Sequence, residues 1–165
     1  MLGRIYIIGE PILRKKTTLV DKVTQAERQI FDEMLKMMHN AQGIGLAANQ
    51  VGIDKQMCVV CVGDQVLKLA NPRILKKKGT KIFLEGCLSL PGIMVKVKRA
   101  KEIVCQALNE NSELITFEAV ELVARAIQHE VDHLMGKMII DYAPVWKKSA
   151  LKEKIKALKN KQDKM

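Results

Sequence analysis

The sequence predicts an α+β domain: antiparallel or mixed β-sheets packed around a helix that carries His129-Glu130-Val131-Asp132-His133, with a basic helix at the C-terminal end. Three observations carry that expectation. Apolar residues recur at three- and four-residue steps in stretches near residues 26–41, 119–135 and 151–158. Between the first two lie short β-branched runs separated by turn formers, so strands cluster instead of alternating with helices. The length of 165 residues fits one domain and is enough to bury a core without disulfides.

Each element follows from local chemistry. Thr24 and Glu27 have capping-box spacing and open the first helix. Ala26, Ile30, Met34, Met37, Met38 and Ala41 form its expected apolar face, and Gly43 is expected to stop it. His39 falls near its C-terminal end, where positive charge is favourable, and reads as structural. Strands are expected at Met57–Val62, Val66–Ala70, Ile74–Leu75, Lys81–Leu84, Ile93–Lys98, Glu102–Leu108 and Leu114–Phe117. Asn109-Glu110-Asn111-Ser112 is the turn between the last two. The second helix is expected from about Ala119 to Met135, with Leu122, Val123, Ala126, Ile127, Glu130 and His133 or Leu134 on one face and Gly136 as a left-handed cap. A third helix starts near Val145 with Leu151, Ile155 and Leu158 in line.

Composition narrows the function classes. No run approaches the roughly 18 apolar residues of a membrane span. Met1 to Glu10 lacks the layout of a signal peptide, so a cytoplasmic location is expected. The net charge of +10 points to an anionic partner or to a well-solvated surface. Most of the unbalanced charge is local to the tail, where Lys147, Lys148, Lys152, Lys154, Lys156, Lys159, Lys161 and Lys164 face only Glu153 and Asp163. Cys58 and Cys61 form a C-x-x-C, but inside a β-branched strand residues three apart point to opposite faces, so both read as core, as does Cys105. Cys87 differs, since Gly86 precedes it and a polar turn follows.

The chemistry centres on H-E-x-x-H. On a helix the two histidines stand one turn apart, about 6 Å between backbone positions, and can hold one divalent metal. Glu130 is then placed to take a proton from a metal-activated water. A third ligand is required. No histidine follows His133; Asp141 and Glu153 are the downstream acids. The better candidate is Cys87 in Glu85-Gly86-Cys87-Leu88-Ser89, and a Cys/His/His set suits iron or zinc. In Gly43-Ile44-Gly45-Leu46-Ala47-Ala48-Asn49-Gln50, small residues permit close backbone packing, and Gln50 offers a neutral donor for an oxyanion.

Together the three segments resemble the peptide deformylases. G-I-G-L-A-A-N-Q, E-G-C-L-S and Q-H-E-V-D-H-L are similar to that family's three signatures, in order and in register. Pro11-Ile12-Leu13-Arg14, Val51-Gly52 and Asn71-Pro72 extend the resemblance from about Ile5 to Tyr142. It implies removal of the formyl group from formyl-methionyl nascent peptides, with release of formate. It implies Cys87, His129 and His133 as metal ligands and Glu130 as general acid/base. It implies Gln50 and the backbone N–H of Leu88 as oxyanion donors, and Ile44 and Gly45 as backbone partners of the peptide. A methionine pocket near Ile44, Leu122, Ala126 and His129, and a supporting Glu85–Arg99 ion pair, also come from the resemblance. So does Fe(II) as the metal, with zinc or nickel able to substitute. The implied organisation is a catalytic domain over 1–146 and a Lys-rich helix over 147–165 that extends it and can contact the ribosome. A zinc endopeptidase and a nucleic-acid-binding protein with a structural metal are the competing classes. The short Gly63-Asp64-Gln65 connection leaves little loop for the cleft, and Arg125, one turn before His129, lines the pocket or pairs with an acid outside it.

Overall fold

A computed structural model describes residues 2–162. Along the chain, a 3-10 turn (Pro11–Arg14) precedes helix α1 (Gln25–Asn40), strand β1 (Gly45–Ala47) and a second 3-10 turn (Ala48–Val51). Strands β2 (Met57–Val62), β3 (Gln65–Lys78), β4 (Lys81–Glu85), β5 (Val95–Arg99), β6 (Glu102–Leu108) and β7 (Leu114–Val120) follow. Helix α2 (Glu121–Leu134), a third 3-10 turn (Ile139–Tyr142) and helix α3 (Val145–Gln162) complete the order. One sheet runs β1-β2-β3-β6-β7 and the other is the β4-β5 pair. Every strand pairing among the described residues is antiparallel.

The two faces of the larger sheet are covered by different helices. Cys58 and Val60 of β2 pack with Ala124, Ile127 and Leu134 of α2. Met57 and Val59, the alternate residues, pack with Phe31, Met34 and Met38 of α1. Cys58 and Cys61 accordingly sit in different clusters, as the period of a strand requires, and Cys105 is fully buried in the same cluster as Cys58. A third cluster joins Val95 and Val97 of β5 to Met138, Ile139 and Ile140, and Leu151, Ile155 and Leu158 of α3 pack against it. The stripe of the tail helix is thus held, while most of its lysines are exposed. Lys164 and Asp163 lie outside the described residues.

Four local expectations are corrected. The apolar face of α1 is Phe31, Met34 and Met38 with Glu27 buried beside them, while Ala26 is exposed. Glu27 belongs inside because it closes the capping box with Thr24 and pairs with Lys55. The left-handed residue that ends α1 is Gln42 (φ 56°), not Gly43. Gln42 N–H donates to His39 O and Gly43 N–H to Met38 O, which satisfies the last carbonyls in a Schellman pattern. The expected break at Asn71-Pro72 is a bend inside one strand: register shifts between Ala70 and Arg73, and the Asn71 side chain is tied to both backbone groups of Val20. The strand expected at Ile93 begins at Val95.

The end of α2 does follow the expected cap. Gly136 (φ 77°) is left-handed, with Gly136 N–H on His133 O and Lys137 N–H on Asp132 O. A Cβ there would lie 2.5 Å from Arg14 O, so the absent side chain also lets the segment after the first 3-10 turn lie against the helix end.

Candidate metal centre

Helix α2 sets the two histidines one turn apart, with ring centroids 4.9 Å apart and Nε2 atoms 3.2 Å apart. Cys87 enters from the turn that follows β4, and its Sγ lies 3.1 Å from His133 Nε2. The three donor atoms all fall within 4.8 Å of one another. A tetrahedral ion with Zn-like bond lengths needs donors roughly 3.3–3.6 Å apart, so the residues fit one small divalent ion with an open position. Asp141 and Glu153 do not compete as ligands. Asp141 accepts from Arg14 Nη1 at 2.6 Å and caps Met138 N–H at 2.9 Å, and Glu153 is exposed on α3.

The surroundings hold these ligands in place. His129 Nδ1 lies 3.1 Å from Glu85 Oε2, which leaves Nε2 for the centre. Glu85 is in turn gripped by Arg99 through Nε at 2.9 Å and Nη2 at 3.0 Å. Arg99 also reaches Asp132 Oδ2 at 2.5 Å, and Tyr142 Oη donates to the same oxygen at 2.7 Å. Burial disfavours charge on Glu85, but hydrogen bonds from His129 and Arg99 outweigh it and hold the carboxyl at about 2. Burial likewise disfavours charge on His129, and its hydrogen bonds to Cys87 and Glu85 reverse the balance, so it sits well above the usual imidazole value. At His133 burial dominates and the charge of His129 adds to it, so this ring is kept well below that value and therefore neutral.

Glu130 occupies the floor of the site and is 3% exposed. Burial pushes its carboxyl up to about 7, with the charges of Glu85 and Asp132 adding to the rise and those of His129 and Arg99 opposing it. A carboxyl so tuned exchanges a proton near neutral pH. Its Oε2 has no hydrogen-bond partner, and the other buried side-chain atoms in that condition among the described residues are Asn49 Oδ1 and His133 Nδ1. Asn49 Nδ2 donates to His133 O, so all three orphaned atoms cluster here. Such concentration marks a site completed by something other than protein.

A cleft of about 490 Å³ opens onto this centre. Ile44, Gly45, Gln50, Cys87, Leu88, Ala126, His129 and Glu130 line it, and His133 stands behind, in contact with Cys87 and His129. Gln50 is anchored: its Oε1 accepts from Ala47 N–H at 2.9 Å, and its Nε2 donates to Ser89 Oγ at 3.0 Å, 3.7 Å from Cys87 Sγ. The N–H of Leu88 donates to no group among the described residues. Just before β1, Ile44 O is taken by Cys61 N–H, and ladder alternation turns the N–H and C=O of Gly45 to the open edge. Leu122 is the sequence candidate that the structure leaves outside: it shares a face with Ala126 and His129, but it stands in the first turn of α2, about one and two turns before them, where it is exposed and does not line the cleft. Arg125 does line it, stacked on Phe83.

Sequence reasoning missed Asp132, Tyr142, Ser89 and Asn49 as supports. Asp132 stands between the ligands on α2 and is visible as an acid in the motif. Asn49 and Ser89 lie inside two of the signature segments, but their roles come from contacts with His133 and Gln50, and Tyr142 carries no local signal.

Comparison with known proteins agrees with this geometry. Residues 2–149 match the family described as polypeptide deformylase. The chain is 46% identical over 140 residues to a peptide deformylase of Clostridium botulinum, covering 85% of this chain and 95% of that one. Its fold is similar to a crystal structure of a peptide deformylase from Legionella pneumophila, at a TM-score of 0.91 and 28% identity over 100% of this chain and 99% of the other. It is also similar to a peptide deformylase from Ehrlichia chaffeensis in complex with actinonin, at a TM-score of 0.89 and 32% identity, covering 93% of this chain and 95% of that one.

Proposed function

The chain belongs to the polypeptide deformylase family and is a hydrolase of that class, and from that premise we propose how its residues remove the formyl group from formyl-methionyl nascent peptides. The observation that supports the reading most directly is the Cys87/His129/His133 donor set opening onto a cleft whose floor is an unpartnered Glu130 carboxylate. A divalent metal bound there supplies Lewis-acid polarisation and a water of lowered pKa. Its mixed thiolate and imidazole donors suit Fe(II), with zinc or nickel as substitutes.

The chain's own residues do the rest. The open edge of Gly45 pairs with the peptide as an added strand. The methionine side chain enters the apolar side of the cleft between Ile44 and Ala126. Glu130 takes the proton of the attacking water. As the water oxygen bonds to the formyl carbon, the developing oxyanion is met by the Gln50 amide and the Leu88 N–H. Glu130 then delivers its proton to the leaving nitrogen, the C–N bond breaks, and formate and a free amine depart. Formate release from formyl-Met-Ala-Ser by anaerobically prepared protein, paired with metal analysis, tests the reading. Cleavage at an internal peptide bond, or no formate at any metal loading, would overturn it. Actinonin is expected to raise the melting temperature, as the Ehrlichia relative's complex motivates.

Two further parts belong to the reading. Residues 1–146 carry the chemistry in the cytoplasm, where formylated chains emerge, and no helix of the described residues is long and apolar enough to cross a membrane. The exposed lysines of α3 form a polycation suited to ribosomal RNA near the exit of nascent chains. Charge reversal at Lys152, Lys156 and Lys161 keeps the packed stripe and is expected to reduce co-sedimentation with ribosomes; unchanged sedimentation sinks that part.

A further inference from the structure

Arg125 lies on α2 one turn before His129 and lines the cleft beside Ala126. Its guanidinium carbon stands 4.5 Å over the ring of Phe83 on β4. Among the described residues it makes neither an ion pair nor a hydrogen bond. The acids nearby are not its partners: Glu85 is held by Arg99 and His129, and Glu121, one turn earlier on the same helix, is exposed and unpaired with it. Stacking on an aromatic face fixes the plane of a guanidinium and leaves its donor fork at the rim. The cleft therefore presents an oriented cation with no counter-ion of its own.

We propose that Arg125 is a specificity-determining residue that receives the carboxylate of an acidic side chain at the third position of the substrate, two residues beyond the formylated methionine. The inference rests on the deformylase reading above. Its position follows from strand geometry. In a peptide paired along the edge of Gly45, side chains alternate, so the first and third residues face the same wall. They are separated by roughly 6.5–7 Å along the strand. On that wall, Arg125 is set back from His129 by one helical turn, about 5.4 Å. The wall that takes methionine at Ala126 thus offers the guanidinium fork to the third side chain. The pair is partly exposed, so its effect is a several-fold preference and is weakened by salt.

The test compares formyl-Met-Ala-Xaa-Ala peptides with Xaa as Glu, Gln or Lys. All are amidated at the C-terminus so that the side chain is the only anion. Holoenzyme kcat and KM are measured by formate release. KM for the Glu peptide is expected to be about threefold to tenfold below that for Gln, with Lys above both and kcat nearly constant. Raising the salt to about 0.5 M should compress the ranking. Within Arg125→Gln the three KM values should converge, and within Arg125→Glu their order should invert. Equal KM values on the unmodified enzyme, or a ranking that survives in Arg125→Gln, would overturn the proposal. If no formyl peptide of the set releases formate, the deformylase reading itself falls and this inference with it, a result distinct from turnover without preference.

Discussion

Gly45 and Glu130 face each other so closely that a Cβ on Gly45 would lie 2.3 Å from Glu130 Oε1. The contact ties two motifs from opposite parts of the chain. The edge strand proposed to pair with the peptide is packed directly against the carboxylate proposed to move the proton. Gly45→Ala must therefore displace the carboxylate or the strand. The expected outcome is a fall in kcat of about 100-fold, in line with a displacement of about 1 Å at the reacting groups, with the fold retained by circular dichroism. Full activity in this variant would contradict the placement of Glu130.

The Glu85–His129 contact makes a different prediction. Glu85 orients the imidazole and is itself held by Arg99. Glu85→Gln keeps an acceptor but loses the charge, and metal affinity is expected to weaken about 10–100-fold. Competition against a chromophoric chelator measures it. Unchanged affinity in a folded variant would show that the carboxylate does not support the ligand.

Stability in acid follows from Glu27. Hydrogen bonds from Lys55 and then Thr24 hold its carboxyl at about 2, below the ordinary value of 4.5. A lowered folded-state pKa means that the unfolded chain binds the proton more readily. The stabilisation is therefore complete above pH 4.5 and is lost as the pH falls to about 2. Lys55 is partly exposed, so solvent screening limits the effect to about 2 kcal/mol. Urea denaturation should find Glu27→Gln less stable than the parent at pH 7, with the gap closing between pH 4.5 and 2. A gap independent of pH would leave only the helix cap as the cause.

Gly136 supplies a test remote from the chemistry. Its left-handed backbone and the 2.5 Å approach of Arg14 O both exclude a Cβ. Gly136→Ala is expected to cost about 1–3 kcal/mol, read as a lower urea midpoint at unchanged slope. A midpoint equal to the parent's would mean that the segment around Arg14 can move away freely.

Interactions between near neighbours in the chain are legible in the order of its amino acids. The capping box at Thr24, the left-handed cap at Gly136, the alternation that separates Cys58 from Cys61 and the one-turn spacing of His129 and His133 are all of this kind. Cys87 and Gln50 stand out by residue type and setting, the signatures add Leu88 by resemblance, and all three line the cleft. The remainder is set by the tertiary fold, because burial and pairing depend on residues far apart in the chain. Glu27 is inside because Lys55 meets it, the strand runs on through Asn71 because Val20 holds it, and Leu122 is outside because the cleft does not extend to the first turn of α2. The chain of supports from His129 through Glu85 and Arg99 to Asp132 and Tyr142 spans several elements, and no periodicity in the sequence encodes it.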